Sequence, residues 1–352
     1  MPELVVTNFN RNFTGVSSTT ASVLRQQQDQ FDLALTGIDL PGCPDAVSRR
    51  TAMRLSRTPS NGRPFVIWHV RRNTEMRAAI WARDVLRLPI RIVFTSAARH
   101  RHSAFPRFLI SRMDAVIATT EAAADLVPNV FKVVPHGVDT DVFAPAEDRA
   151  AAWAATGFPG RRGIATMGRI RPTKGTDRFV DVMLRLLPRY DDVTAVITGR
   201  AMPKDQSFLA GLMTKVDEAG LTDRIIFAGE LPTDQMPGFI RGLSLMLHLP
   251  RYEPFGVTPL ESLASGVPFI ATDTGGQYRA LTDQGRAGVI VEEDDIDAAV
   301  DVAAELLDTP ERHGDMARAA RAAALTRFSI ANEAAGIAEV YERVWQGERG
   351  TG

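Results

Sequence analysis

The chain has 352 residues, more than a single hydrophobic core usually holds, so we expect two domains. Its composition, with 45% hydrophobic and 24% charged residues, excludes a disordered or collagen-like protein, and its net charge of −1 indicates no particular partner. The single cysteine, Cys43, excludes an intramolecular disulfide framework, and no segment reads as a membrane span or a secretory signal, so we expect a cytoplasmic protein.

Short apolar runs alternate with helix-like stretches along the first part of the chain. This alternation is typical of a parallel sheet that is covered by helices on both faces. The predicted strands of this part lie at residues 4–6, 31–35, 65–69, 91–95, 114–118 and 132–134.

The same pattern starts again after residues 143–159, a weakly patterned stretch with prolines that we interpret as a connector. A helix is predicted at about 176–187, and an alanine-rich helical region from about residue 296 ends in an amphipathic helix over 331–345. We therefore predict an α/β protein with two doubly wound, Rossmann-like domains facing a cleft, at 1–150 and 151–328. The strands predicted for the second domain are 163–167, 194–198, 224–227, 243–247, 267–271 and 288–291.

The loop after the first strand, residues 8–20, has features of an anion site. Gly15 permits close approach to the backbone, and the serines and threonines beside it suit a helix N-cap, whose exposed N–H groups attract anions. The loop contains neither G-x-G-x-x-G nor a Walker A pattern. An ordinary capped helix is the alternative interpretation.

A second loop, residues 168–175, places Arg169, Arg171 and Lys174 between two glycines directly after a strand. Cations on a short loop can hold a diphosphate through charge-assisted hydrogen bonds. A solvated basic turn is the alternative.

A third segment carries Glu253 and Glu261, eight positions apart. The residues between them, Phe255, Gly256 and Val257, are predicted to form a loop that enters a helix, with N–H groups facing an anion. Glu261 within that helix could bond a ribose diol. A solvent-exposed glutamate is the alternative.

The net charge is divided unevenly along the chain. Residues 1–135 contain 18 Lys and Arg against 10 Asp and Glu, a net of +8, whereas residues 136–352 contain 23 against 32, a net of −9. All but one of the 18 cations are arginines, which favour phosphates and carboxylates, so we expect an acidic partner for the first part. A mildly basic surface without a partner is the alternative.

In this order, with Gly137-Val138-Asp139 before the connector and Thr274-Gly275-Gly276 after the glutamates, the motifs resemble the retaining glycosyltransferases of family four, which have the GT-B fold. The resemblance covers about residues 4–345. Within the family, residues 67–76, 93–98, 113–119 and 136–139 are similar to the lipopolysaccharide core mannosyltransferases of the LpcC type.

The resemblance implies roles for individual residues. Arg169 and Lys174 would bind the donor diphosphate and act in catalysis together with Glu253, which would lie near the donor sugar. Glu261 would bond the ribose. The remaining donor contacts would come from Gly15, near the reaction centre, and from the backbone of Phe255, Gly256 and Val257. The resemblance also implies that a C-terminal helix, at about 329–348, joins the first domain.

The acceptor side departs from the family pattern. Many members have a histidine two residues after a threonine at the end of the fourth strand, but here Ala97 stands at that distance from Thr95. His69 and His102 are the candidates for this role, with a structural or acceptor-loop histidine as the alternative, and His100 is left without a role. Arg71 and Arg72 are further candidates for acceptor binding.

The implied reaction transfers mannose from GDP-mannose, with retention, to the Kdo region of lipid A. It would need no metal or other cofactor: Asp139 and Asp141 have the spacing of a metal motif, but we assign no ion to them. The protein would act in the cytoplasm, with peripheral contact to the inner membrane and no nucleic-acid partner. The alternatives are another donor such as UDP-glucose, a phosphoinositide acceptor, or a non-catalytic nucleotide-sugar-binding protein.

Overall fold

The computed structural model describes residues 1–12, 14–60, 62–98, 100–253, 256–274 and 277–348. The chain divides into two compact units: unit 1 comprises Met1–Gly137 with Phe328–Gly352, and unit 2 comprises Val138–Arg327. The first boundary lies before the predicted residue 150. The reason is that the connector packs within unit 2, where the Arg321 guanidinium donates to the carbonyls of Thr140 and Phe143 at 3.0 Å each.

Unit 1 contains one parallel six-stranded sheet with the order β2-β1-β3-β4-β5-β6. Its strands are β1 (Leu4–Asn8), β2 (Leu33–Gly37), β3 (Val66–Val70), β4 (Ile90–Ser96), β5 (Ala115–Ala118) and β6 (Val130–Val133). Its helices are α1 (Gly15–Gln27), α2 (Arg49–Leu55), α3 (Asn73–Ile80), α4 (Ala104–Ile110), α5 (Glu121–Ala124) and the C-terminal α14 (Ile330–Trp345), with a π-helical turn at Trp81–Val85.

Both faces of this sheet are buried, because successive side chains of each strand point to opposite sides. Leu4 and Val6 of β1 belong to the core beneath α1 and α14, whereas Val5 belongs to the opposite core with Trp68 of β3. The predicted strands of this unit therefore differ from the observed ones only at their ends.

Helix α14 packs on unit 1 through its apolar stripe. Ser329 caps the helix by accepting a hydrogen bond from the backbone N–H of Asn332. Tyr341 and Trp345 are buried, and their rings lie 5.8 and 6.0 Å from the ring of Phe31. Aromatic pairs at this separation add to the hydrophobic effect.

Unit 2 contains a second parallel six-stranded sheet, with the order β12-β11-β10-β7-β8-β9. Its strands are β7 (Arg162–Met167), β8 (Val193–Thr198), β9 (Ile225–Gly229), β10 (Leu243–His248), β11 (Phe269–Thr272) and β12 (Gly288–Val291). Its helices are α6 (Arg149–Ala154), α7 (Thr176–Leu186), α8 (Gln206–Glu218), α9 (Met236–Gly242), α10 (Val257–Ala264), α11 (Gln277–Leu281), α12 (Ile296–Asp308) and α13 (Pro310–Thr326), with 3-10 turns at Pro172–Lys174, Leu187–Arg189 and Pro203–Asp205.

Helix α6 lies inside the stretch that the sequence predicts to be a connector. Asp148 caps it, accepting hydrogen bonds from the backbone N–H groups of Ala150 and Ala151 at 2.8 and 3.1 Å. Trp153 anchors the helix, because its side chain is 1% exposed. The cap residue and the buried tryptophan therefore fix a short helix within the connector.

Each sheet has one point at which the strand order reverses. In unit 1 this point lies between β1 and β3, and in unit 2 it lies between β7 and β10. Ligands of open parallel sheets bind outside the carboxyl ends of the strands at such a point. Ligand-binding residues are therefore expected in the loops after β1 and β3 and in those after β7 and β10.

None of the described helices combines the length and the apolar character that crossing a bilayer requires.

Candidate functional site

The loop after β7 is held against the end of β10. Gly175 has a φ of +70°, and a Cβ atom there would clash with the carbonyl oxygen of Leu249, so only glycine fits. The backbone N–H groups of Arg251 and Tyr252 both donate to the carbonyl of Thr173, at 3.0 and 3.1 Å. These contacts bring together two motifs that lie far apart in the sequence.

An ion pair joins Lys174, in the loop after β7, to Glu253, in the segment after β10. Glu253 is 9% exposed, and Nε2 of His248 lies 3.6 Å from its carboxylate. Burial raises the pKa of Glu253, but the neighbouring His248 and the charge of Lys174 outweigh burial and lower it. Glu253 is therefore ionised at neutral pH and can accept hydrogen bonds, but it cannot serve as a proton donor.

The loop after β7 also carries positive charge that no described carboxylate neutralises. Arg169 is exposed and forms no ion pair within the described part of the chain. Arg171 is half-buried, and its buried Nε has no hydrogen-bond partner among the described residues. Buried or crowded donors without a protein partner are unusual, so this loop is suited to hold an anion.

Helix α10 begins at the edge of the same site. Gly256 is its buried N-cap and Val257 its first residue, so the unpaired N–H groups of the first turn lie here. A Cβ atom at Gly256 would clash with the hydroxyl of Tyr278 on α11. Phe255, which was also predicted to contact the donor, lies outside the described residues.

Glu261 lies on α10, one turn into the helix, and is half-buried. Its carboxyl forms no hydrogen bond or ion pair with any described residue. Burial raises the pKa of Glu261 to about 7. A carboxylate that folding desolvates and leaves without a partner is unfavourable for stability, and it is a group that a ligand hydroxyl could satisfy.

In unit 1, buried Glu75 joins the loops after β1 and β3. Its carboxylate accepts hydrogen bonds from the hydroxyl of Thr7 at 3.0 Å and from the backbone N–H of Phe9 at 3.1 Å. It also accepts from the backbone N–H groups of Arg71 and Arg72, at 2.8 and 3.1 Å. One carboxylate therefore fixes the backbone on both sides of the reversal point.

Arg72, which is predicted to bind the acceptor, takes part in this same framework. Its guanidinium donates to Glu75, to Asn8 at 3.2 Å and to Ser17 at 3.0 Å, so its donors are used to hold the start of α1. Gly15, the first residue of α1, is exposed, and a Cβ atom there would meet no described atom within 4 Å. The packing of the protein does not require glycine at this position, and the space beside it is open.

His69, a second predicted acceptor contact, is enclosed by the protein. The side chain is fully buried, with Nδ1 2.5 Å from the Tyr341 hydroxyl and Nε2 2.7 Å from the Thr95 hydroxyl. Burial, and then the charge of Arg71, hold the pKa of His69 well below its usual value. The neutral ring is satisfied because each hydroxyl can donate or accept.

Two predicted acceptor residues keep unused polar atoms. Arg71 follows β3 directly and its Nη1 is buried, and Nε2 of His102 is buried too; neither nitrogen has a hydrogen-bond partner in the described part of the chain. Ser96, the last residue of the neighbouring β4, has a buried hydroxyl in the same condition. His100, which was given no role, is exposed.

The remaining motif of unit 1 fixes the chain near α14. Nδ1 of His136 lies 2.7 Å from the carboxylate of Glu333, which also accepts from the backbone N–H of Gly137 at 2.7 Å. Asp139, which begins the metal-like spacing, accepts from the backbone N–H groups of Asp141 and Val142 at 3.1 Å each. Its carboxylate therefore closes a local turn.

Sequence reasoning missed three residues that shape the site. His248 lies beside Glu253, and Glu75 fixes the loop after β1. Arg251 donates to both carboxylate oxygens of Asp177, at 2.8 and 2.7 Å. The signal for His248 was its place at the carboxyl end of a buried strand beside a reversal of strand order. Glu75 and Asp177 gave no signal, because their partners lie on other elements.

Comparisons with known proteins identify the family of the chain. Residues 152–323 match the family described as glycosyl transferases group 1. The chain is 41% identical over 343 residues to the lipopolysaccharide core biosynthesis mannosyltransferase LpsB of Rhizobium meliloti, with 97% of each chain covered. It is 38% identical over 344 residues to the mannosyltransferase LpcC of Rhizobium leguminosarum bv. viciae, with 96% of each covered.

Among solved structures, Anabaena Alr3699/HepE in complex with UDP and glucose has a TM-score of 0.79 at 16% identity, covering 97% of this chain and 100% of that one. At this identity the likeness concerns the fold, which is GT-B, with two Rossmann-like domains. The similarity to the two mannosyltransferases extends over nearly the whole chain. The chain therefore belongs to the group 1 glycosyltransferases, the family that the order of its motifs predicts.

Proposed function

We propose that the protein transfers mannose from GDP-mannose, with retention of configuration, to the Kdo-containing inner core of lipid A. The observation that carries the proposal is the loop after β7, in which Arg169 has no ion-pair partner among the described residues, beside the Lys174–Glu253 pair. The relatives named as lipopolysaccharide core mannosyltransferases supply the sugar and the pathway. The reaction is placed in the cytoplasm, at the inner face of the inner membrane.

The donor half of the proposal uses unit 2. Arg169, Lys174 and the N–H groups at the start of α10 would bind the diphosphate, and Glu261 would accept hydrogen bonds from the ribose. Negative charge accumulates on the diphosphate as the glycosidic bond breaks, so these donors stabilise the transition state more than the ground state. We expect the reaction to proceed on this basis without a metal ion.

Glu253 would act on the donor sugar as an ionised group. The transition state of glycosyl transfer has oxocarbenium-like positive charge, which a nearby carboxylate stabilises. Because Lys174 and His248 hold Glu253 in its ionised form, the carboxylate can also accept hydrogen bonds from sugar hydroxyls. Lys174 thus has two tasks: it faces the diphosphate and it keeps Glu253 charged.

The acceptor half uses unit 1. Kdo is a sugar acid, and its carboxylate suits a guanidinium. Of the four predicted acceptor residues, Arg71 and His102 have buried nitrogens without partners in the described chain, so we assign the acceptor to these two rather than to His69 and Arg72. Gly15 would leave room for the reacting groups.

The donor is tested by stabilisation and product analysis. Purified protein is melted with GDP, UDP and ADP and with their sugars; GDP and GDP-mannose should raise Tm most, since ligand binding shifts the unfolding equilibrium. The one-bond C1–H1 coupling of the product, measured by NMR, should match the configuration of the donor. Stabilisation by UDP alone, or a product of inverted configuration, would contradict the proposal.

A further inference from the structure

Two open grooves of about 670 Å³ each lie side by side on unit 1. They share Met53 and Trp81, and they are lined by α2, α3, the π-helical turn and α4. We name the surface formed by Arg50, Arg54, Arg77, Trp81 and Phe105 the arginine–aromatic face.

Positive charge dominates this face. Arginines 49 and 77 line one groove and arginines 50, 54 and 57 line the other, whereas no lining residue of either groove is acidic. Asp84, an exposed carboxylate three residues after Trp81, is already paired with Arg83 at 2.8 Å and with Arg112 at 2.6 Å. None of arginines 50, 54 and 77 forms an ion pair within the described part of the chain, so their charge is available to an anionic partner.

Large apolar side chains project from the same elements. Trp81 is 47% exposed, Val85 61% and Phe105 54%, and Phe108 of α4 is 56% exposed. Single exposed apolar residues are ordinary, but an exposed apolar cluster on one surface marks an interaction site. The other three tryptophans of the chain, Trp68, Trp153 and Trp345, are buried.

We propose that the arginine–aromatic face docks unit 1 onto an anionic phospholipid surface. Tryptophan and phenylalanine partition to the level of the lipid headgroups, and arginines beside them pair with lipid phosphates. Each Arg near an anionic membrane strengthens binding, and apolar insertion adds a part that salt does not screen. The charge of the face therefore selects a lipid surface over a neutral protein partner.

Trp81 is a built-in probe of this proposal. Vesicles of phosphatidylcholine alone, and of phosphatidylcholine with an equal amount of phosphatidylglycerol, are titrated into the full-length protein without donor or acceptor. The anionic vesicles should bind the protein and shift its tryptophan emission to shorter wavelength. Trp81→Phe should still bind anionic vesicles but lose that shift, because the remaining tryptophans are buried. Since no sugar is transferred in this assay, its result is independent of the proposed reaction.

Charge variants test the location. Arg50→Gln/Arg54→Gln/Arg77→Gln should weaken binding to anionic vesicles roughly 100-fold. The matched control removes three exposed cations from unit 2, Arg161→Gln/Arg189→Gln/Lys204→Gln, and should leave binding within about twofold. Thermal unfolding of both triple variants verifies that they are folded.

Three results would overturn the proposal: no binding to anionic vesicles, equal loss of binding in the two triple variants, or binding with an unchanged Trp81 emission. A second copy of the chain is the competing occupant of the face. In that case sedimentation would show a dimer that the double variant Trp81→Ser/Phe105→Ser dissociates. The anionic vesicles would then bind the protein no better than vesicles of phosphatidylcholine alone.

Discussion

Glu261→Gln should stabilise the folded protein at alkaline pH while weakening its binding of the donor nucleotide. Folding moves the pKa of the Glu261 carboxyl from its ordinary 4.5 to about 7, because it loses water and gains no protein partner. At about 1.36 kcal/mol per pH unit, the penalty on the ionised form reaches about 3 kcal/mol above pH 7. Glu261 is only half-buried, so we expect about 1–3 kcal/mol.

The sign of this effect depends on pH. The folded state holds the Glu261 proton more tightly than the unfolded state, so stability falls as pH rises from 4.5 through 7 and then levels off. Urea unfolding of wild type and Glu261→Gln should therefore coincide near pH 4.5 and differ most near pH 8. Glu218→Gln, an exposed glutamate of the same unit, is the control and should leave stability unchanged.

Calorimetric titration with GDP completes the test, because the same substitution removes the carboxylate that should accept the ribose hydroxyls. A variant that is both more stable and weaker in binding would show that Glu261 is kept for the ligand at a cost to folding. If Glu261→Gln is equally stable or less stable at pH 8, or binds GDP as wild type does, the reasoning is refuted.

Three further outcomes follow from the geometry. Lys174→Ala should reduce transfer at least about 100-fold, and it should also lower stability because it leaves the buried Glu253 carboxylate unpaired. Adding Glu253→Gln should recover part of that stability, since it removes the unpaired charge. The control is Lys204→Ala, at an exposed lysine, which should change neither kcat/KM nor the free energy of unfolding. As pH falls below about 6.5, wild type should lose stability relative to His69→Gln by up to about 1.4 kcal/mol per pH unit, because the buried His69 ring resists protonation. The free energy of unfolding, measured with denaturant at several pH values, tests this. The same dependence on pH in both proteins would refute it. Transfer should survive treatment with EDTA and gain nothing from Mg²⁺ or Mn²⁺, and a rate that collapses on chelation and returns with metal would contradict the metal-free proposal.

The strands could be predicted well from the sequence because both faces of each sheet are buried. A parallel strand between two helix layers is apolar along its whole length, so runs such as residues 194–198 lie within β8 with an error of one residue at one end. Helix α6 was not predicted because it is six residues long and lies in a weakly patterned stretch, where its start depends on one cap residue, Asp148.

The sequence could not predict which polar side chains contact one another. His69 meets Tyr341, which is 272 positions away, and Lys174 meets Glu253, which is 79 positions away. Nothing local distinguishes a histidine that binds a ligand from one that two hydroxyls already satisfy. The sequence could place Lys174 and Glu253 in one site through their motifs, but only the structure pairs them and explains why Glu253 stays ionised.

Mass spectrometry of a Kdo-containing lipid A acceptor, after incubation with the protein and GDP-mannose, tests whether the protein is the proposed mannosyltransferase. We expect an acceptor that gains one hexose residue, with GDP released in equal amount and at least about 100-fold less product from Lys174→Ala. Transfer from UDP-glucose but not from GDP-mannose would contradict it. So would stabilisation by GDP without transfer to any acceptor, the behaviour of a protein that binds nucleotide sugars but does not use them.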